Sequence, residues 1–167
     1  FQLKFVDYAM HGEVEVREQL LQFAISKKYP KKIIPYLKAF LNDGNSENAL
    51  TTVGLNSSDL AETISATDTE FEIIKNLEDQ NSWVSGKYPQ FNIHAEESKT
   101  YGVQGSPTLV INGKVIQGVA RNPAGMLEAI CNAFNTPVET CNTELSSATP
   151  SSGFGYGEDG SDGGECS

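Results

Sequence analysis

Three cysteines, Cys131, Cys141 and Cys166, are the residues of this 167-residue chain best suited to covalent chemistry. No two are spaced C-x-x-C, and none has a neighbouring Lys, Arg or His, so the setting that turns a thiol into an exchanging thiolate is not written here. Cys131 and Cys141 lie ten residues apart, one on a helix-like run and one beyond Pro137. A chain leaving a helix can turn back within that span. The pair is expected to be a structural disulfide stapling the post-helix segment, and an active pair is the weaker reading. Such a bond favours an oxidising compartment. An odd count leaves Cys166 unpaired or paired outside the chain. His11 and His94 stand without ligand spacing, so no metal is expected. Glu96-Glu97 and Glu13/Glu15 read as solvated faces, and Arg121 as a surface residue. Asn56-Ser57-Ser58 fits the N-x-S acceptor pattern. There is no nucleophile triad and no phosphate loop.

The net charge of −10 argues against nucleic acid and anionic membrane surfaces as partners. From Pro137 onward six carboxylates (Glu139, Glu144, Glu158, Asp159, Asp162 and Glu165) meet no Lys or Arg, which leaves about −4 for the body. No run of 18 apolar residues exists. Residues 151–167 are Gly, Ser and acidic, and are expected to be flexible because they can bury too little surface to offset their ordering entropy.

The most informative stretch is Gly102–Gly118, GVQGSPTLVINGKVIQG. Pro107 heads the apolar run Leu109-Val110-Ile111, and a residue lacking an N–H suits only a strand start, a bulge or an edge. Asn112-Gly113 between two apolar runs predicts a type I′ hairpin. Asn122-Pro123 then reads as N-cap and first-turn Pro of a last helix, Pro123–Phe134, with Leu127, Ile130, Cys131 and Phe134 on its inward face.

Ahead of that stretch, Leu3–Tyr8 alternates and reads as a strand. Val16, Leu20, Phe23 and Ala24 make an amphipathic helix of Glu13–Lys28, ended by Pro30. A second helix begins near Ile34, with Pro35 in its first turn and Leu37, Phe40 and Leu41 inward. Ser46–Val53 is a short helix, and Ser57 or Ser58 caps another with Leu60 and Ile64 inward. Thr67/Glu70 and Thr69/Glu72 are overlapping capping boxes that predict a new helix with Phe71, Ile74 and Leu77 on one face. Trp83 covers the core from a loop. His94–Tyr101 is a short helix stopped by Gly102.

Gly-Ser-Pro-Thr followed by a strand, an N-G hairpin and a helix resembles the C-terminal half of thioredoxin-fold proteins of the DsbA-like branch. The similarity spans roughly residues 1–135 and is most specific over Val103–Gly113. It implies an α/β, thioredoxin-like fold with an inserted helical block: residues 1–10 as a core strand, 11–101 as the helical insertion, 102–136 as cis-Pro loop, hairpin and final helix, 137–150 as a disulfide-anchored extension, and 151–167 as the acidic tail. It also implies that Ser106-Pro107 is cis, and that Ser106, Pro107 and Thr108 bind an extended substrate peptide by strand addition.

The family's first strand and its C-x-x-C helix have no counterpart, so no catalytic residue is expected in this chain. The sequence starts at Phe1 rather than Met, and the missing thiols are expected in residues ahead of it. Without that first strand, Leu3–Val6 and Thr108–Ile111 would stand two strand spacings apart, about 9.5 Å, with unpaired backbone groups on both. The resemblance implies thiol–disulfide exchange on cysteine-containing exported polypeptides, with a redox partner protein, no cofactor and an extracytoplasmic location; an anchor ahead of Phe1 is left open. The alternative is a redox-inactive thioredoxin-fold module binding a peptide or partner. A weaker third reading, action on glutathione conjugates, would need a basic pocket, against the acidic balance.

Overall fold

Apolar spacing and turn residues lay out seven α-helices and one two-stranded sheet, a mixed α/β chain, among residues 1–150, which the computed structural model describes. Residues 151–167, with the expected flexible tail and Cys166, lie outside the described residues. Residues 1–96 form one compact unit and residues 97–150 belong to a second.

In the first unit the helices are α1 (Glu13–Lys28), α2 (Ile33–Asp43), α3 (Ser46–Thr52), α4 (Ala61–Phe71) and α5 (Ile73–Glu78). The expected period of α1 holds, and Val16, Leu20, Ala24 and Ile25 are its buried residues. In α2 the inward anchors are Ile33 and Tyr36, whereas Leu41 is exposed. One apolar cluster joins Ala24, Ile25, Ile33, Tyr36, Leu50 and Leu60; a second joins Phe5, Val16, Leu20, Ile73, Phe91 and Ile93.

A polar knot ties the first three helices. The Glu18 carboxylate of α1 accepts from Tyr36 Oη of α2 at 2.9 Å, from Ser46 Oγ of α3, and from Gln22 Nε2 at 2.7 Å. Burial first, then the adjacent Glu18 charge, pushes the Tyr36 phenol well above its ordinary range; the contact with Ser46 opposes this weakly. A phenol raised on folding stabilises fully below its unfolded pKa of about 10 and loses that contribution as pH rises further, because the unfolded chain ionises first. Alkaline unfolding of this unit should therefore begin above about pH 10. Tyr36→Phe should flatten that pH dependence, measured by thermal melts across pH 9–11.

Leu3–Tyr8 does not form the expected strand. Among the described residues only Tyr8 of this segment makes a bridge, antiparallel to Gln90 and flanked by Ala9 N–H to Pro89 O (3.0 Å) and Phe91 N–H to Asp7 O (2.9 Å). The ladder cannot grow in either direction. Tyr88 bridges back to Val84, and Asn92–His94 turns into a 3₁₀ helix. The Phe5 N–H is taken by the His94 side chain, Nδ1 at 3.0 Å, and not by a neighbouring strand. His94 is buried, stacked on Phe5 and edge-on to Phe23, which makes it a satisfied core histidine.

The two capping boxes at Thr67/Glu70 and Thr69/Glu72 do not form either. Both threonines lie inside α4, where their hydroxyls donate to the carbonyls of Thr63 and Ser65, each at 2.8 Å. The helix breaks instead at Glu72, which is left-handed (φ 52°), and Asp68 Oδ1 accepts from Ile74 N–H across the break. That break rephases α5 so that Ile73, rather than Ile74, is its fully buried residue. Likewise Asn56, not Ser57 or Ser58, caps the turn that precedes α4. Trp83 is half-buried, and its Nε1–H donates to the C-terminal carbonyls of α5, Asn76 O (3.1 Å) and Leu77 O (3.3 Å).

Candidate functional site

The second unit begins at Glu97, inside α6 (Ala95–Tyr101), and the chain leaves that helix at Gly102. Gly102 (φ 60°) adopts the left-handed conformation expected of it. Val103 N–H then reaches Ser98 O at 2.8 Å and Gly102 N–H reaches Lys99 O at 3.2 Å, the paired bonds of a Schellman stop. The chain emerges as the loop Gly105-Ser106-Pro107-Thr108. The Ser106–Pro107 peptide bond is cis. Thr108 Oγ1 donates to Gly105 O at 2.6 Å and closes the loop on itself. Ser106, Pro107 and Thr108 are all exposed. Among the described residues neither the N–H nor the C=O of Ser106 has a hydrogen-bond partner.

The loop feeds β1 (Leu109–Ile111), which pairs antiparallel with β2 (Lys114–Ile116) in the register Leu109↔Ile116, Val110↔Val115, Ile111↔Lys114. Asn112 (φ 50°) and Gly113 (φ 76°) make the two-residue turn, both left-handed as a type I′ turn demands. Because Ile111↔Lys114 closes that turn, Leu109 and Ile111 exchange their backbone hydrogen bonds with β2. The peptide groups of Val110 therefore point to the other edge. The sheet holds only these two strands among the described residues, so that edge of β1 runs on from the open peptide groups of Ser106.

Helix α7 (Pro123–Cys131) follows with the expected cap: Asn122 Oδ1 accepts from Gly125 N–H at 2.8 Å, with Pro123 at N1. Gly125 carries a second constraint that sequence reasoning missed. A Cβ there would stand 2.8 Å from both Ala120 Cβ and Ala120 O. Gly125→Ala is expected to destabilise this unit by about 1–3 kcal/mol through overpacking, against at most about 1 kcal/mol gained in helix propensity; urea denaturation checks it. An open cleft of about 700 Å³ lies between β2 and α7, bounded by Ile111, Lys114, Ile116, Gly125 and Glu128.

Cys131, the last residue of α7, is bonded to Cys141 with a Cα–Cα separation of 5.8 Å. Beyond it the extension runs back to the start of the same helix. Ser146 O accepts from Ala124 N–H at 3.1 Å and Ser147 O accepts from Asn122 Nδ2 at 2.9 Å. The extension is thus held at both ends of α7: covalently at its C-terminus, and at its N-terminus through the first-turn N–H of Ala124, which has no partner inside the helix, and the side-chain amide of the N-cap Asn122. Nothing in the Ser-rich run 146–148 signals this, because the contacts are to backbone carbonyls, which every residue owns.

Helix α7 ends at Cys131, short of the expected Phe134, and its expected inward face is only partly covered, with Leu127 and Cys131 half-buried. No residue of α7 is buried, and Ile130 and Phe134 are 44% and 47% exposed. Arg121 is exposed, as expected. His11 pairs with Glu15 at 3.0 Å. No group of three or more His, Cys, Asp or Glu side chains among the described residues could hold a metal ion, and no described helix is long and apolar enough to cross a membrane. No family model, curated protein or solved structure matches the chain.

Proposed function

We propose that this chain is the substrate-docking portion of a DsbA-like, thioredoxin-fold thiol–disulfide oxidoreductase acting on exported, cysteine-containing polypeptides. The observation that carries the reading is the open peptide group of Ser106, exposed in a loop closed by Thr108 and continuous with the unpaired edge of β1. An extended polypeptide can add there as a short strand: its N–H meets Ser106 C=O and its C=O meets Ser106 N–H. Such pairing reads backbone, so it accepts many sequences and holds a substrate cysteine at a fixed distance from the loop.

The exchanging thiols are supplied by a C-x-x-C helix outside these residues; Cys131 and Cys141 are committed to each other. A thiolate of that pair attacks one sulfur of a substrate disulfide. A new S–S bond forms as the old one breaks, and the departing sulfur leaves as thiolate. The second thiol then attacks the mixed disulfide and releases the reduced substrate; run in reverse, the same steps oxidise it. The half-exposed apolar side chains of β1 and α7 support the reading, because a further strand and helix would cover them.

The test is insulin reduction by this chain alone and by the chain extended N-terminally with a strand and C-x-x-C helix of thioredoxin type. The chain alone should be silent and the extended one active. Turnover by the chain alone would contradict the assignment. Silence of both, with peptide binding retained at Ser106, would favour the redox-inactive binding module.

A further inference from the structure

We propose that Asn56 is an N-glycosylation acceptor whose folded geometry presents its amide nitrogen and tolerates the attached glycan. Asn56, Ser57 and Ser58 are all exposed. They stand on a fixed support, because the flanking Leu55 and Leu60 are buried in the first apolar cluster.

The orientation of the Asn56 amide follows from its partners. Asp59 N–H donates to Asn56 Oδ1 at 3.1 Å, and Asp59 Oδ2 accepts from Asn56 N–H at 2.9 Å, a complete capping box. A backbone N–H can be met only by the oxygen of a carboxamide. Nδ2 must therefore face away from the turn, and among the described residues it donates to nothing. The Ser58 hydroxyl, the second required element of the acceptor pattern, donates to the same Oδ1. The pattern's two side chains are thus already in contact, with the reacting nitrogen left over.

The co-reactant is a lipid-phosphate-linked oligosaccharide, used by a transferase. Asn56 Nδ2 bonds to the anomeric carbon, the carbon–oxygen bond to the lipid phosphate breaks, that phosphate leaves with its electron pair, and one N–H proton is lost. The product amide keeps Oδ1, so both hydrogen bonds that make the cap survive. Modification therefore costs the fold nothing at this turn. The inference needs passage through a compartment holding such a donor; it does not depend on thiol exchange.

The full chain, secreted from a eukaryotic host behind a signal peptide, should carry one glycan at Asn56. Peptide-N-glycosidase should remove it with conversion of Asn56 to Asp, read by peptide mass. Asn56→Asp keeps a strong N-cap oxygen, so it should retain the thermal midpoint and lose the glycan. Ser58→Ala should also lose it and Ser58→Thr should keep it. Secreted protein with the Cys131–Cys141 bond formed and Asn56 unmodified would overturn the proposal. So would a glycosylated form whose melting falls well below that of Asn56→Asp.

Discussion

Replacing Phe91 by alanine lowers the stability of the first unit by about 3–5 kcal/mol, the cost of deleting a fully buried aromatic side chain. Phe91 is 0% exposed, and its ring stands edge-on to Phe5 at 5.4 Å. It belongs to the cluster that joins the N-terminal segment to α1 and α5 through Val16, Leu20 and Ile73. Its amide also donates to Asp7 O, one of the two bonds that flank the Tyr8–Gln90 bridge. The cavity would sit beside the Tyr8–Gln90 bridge, the one ladder-like contact of residues 3–8 among the described residues, so those residues should loosen before the helices do. Trp83, the sole Trp, reports the unit's unfolding by fluorescence. Hydrogen exchange at Phe5 and Ala9 should rise in step. Phe91→Leu, which conserves most of the volume, should cost less than about 1.5 kcal/mol.

Cys131→Ser with Cys141→Ser should cost the second unit about 2–3 kcal/mol, the chain-entropy value for a loop of this length. The effect is large for a unit in which no residue of β1, β2 or α7 is buried. Loss of the staple should also free the extension at its far end, because Ala124–Ser146 and Asn122–Ser147 are single exposed contacts. Urea denaturation of the double variant, with amide exchange at Ala124 as the local probe, measures both. Dithiothreitol should reproduce the shift in the unmodified chain and leave the variant unchanged.

Local chemistry in this chain was easy to read and partnership was not. The span of α1, the Asn112-Gly113 turn, the Asn122-Pro123 cap and the Gly102 stop each follow from a few adjacent residues, and each is as expected. Leu3–Tyr8 has strand composition, but a strand exists only if another segment can pair along its length. That capacity was set by Tyr88 and Asn92, some eighty residues away. Thr67 and Thr69 were ambiguous for a different reason. A threonine hydroxyl can cap a helix start or bond the carbonyl four residues back, and because α4 runs unbroken from Ala61 to Phe71 both hydroxyls do the latter. At the candidate site, the Cys131–Cys141 bond was legible from residue type and spacing, whereas the cis Ser106–Pro107 bond was implied only by the resemblance. The return of the extension to the head of α7 and the close approach of Ala120 to Gly125 were not, since both are backbone events.

Peptide binding at Ser106 is the measurement on which the account stands or falls. The ¹⁵N-labelled chain is titrated with an extended peptide carrying a blocked cysteine, and amide shifts are followed residue by residue. The account predicts perturbations centred on Ser106 and continuing through Thr108 to Val110, with residues 1–96 unmoved. Saturable binding that leaves Gly105–Val110 untouched would contradict it.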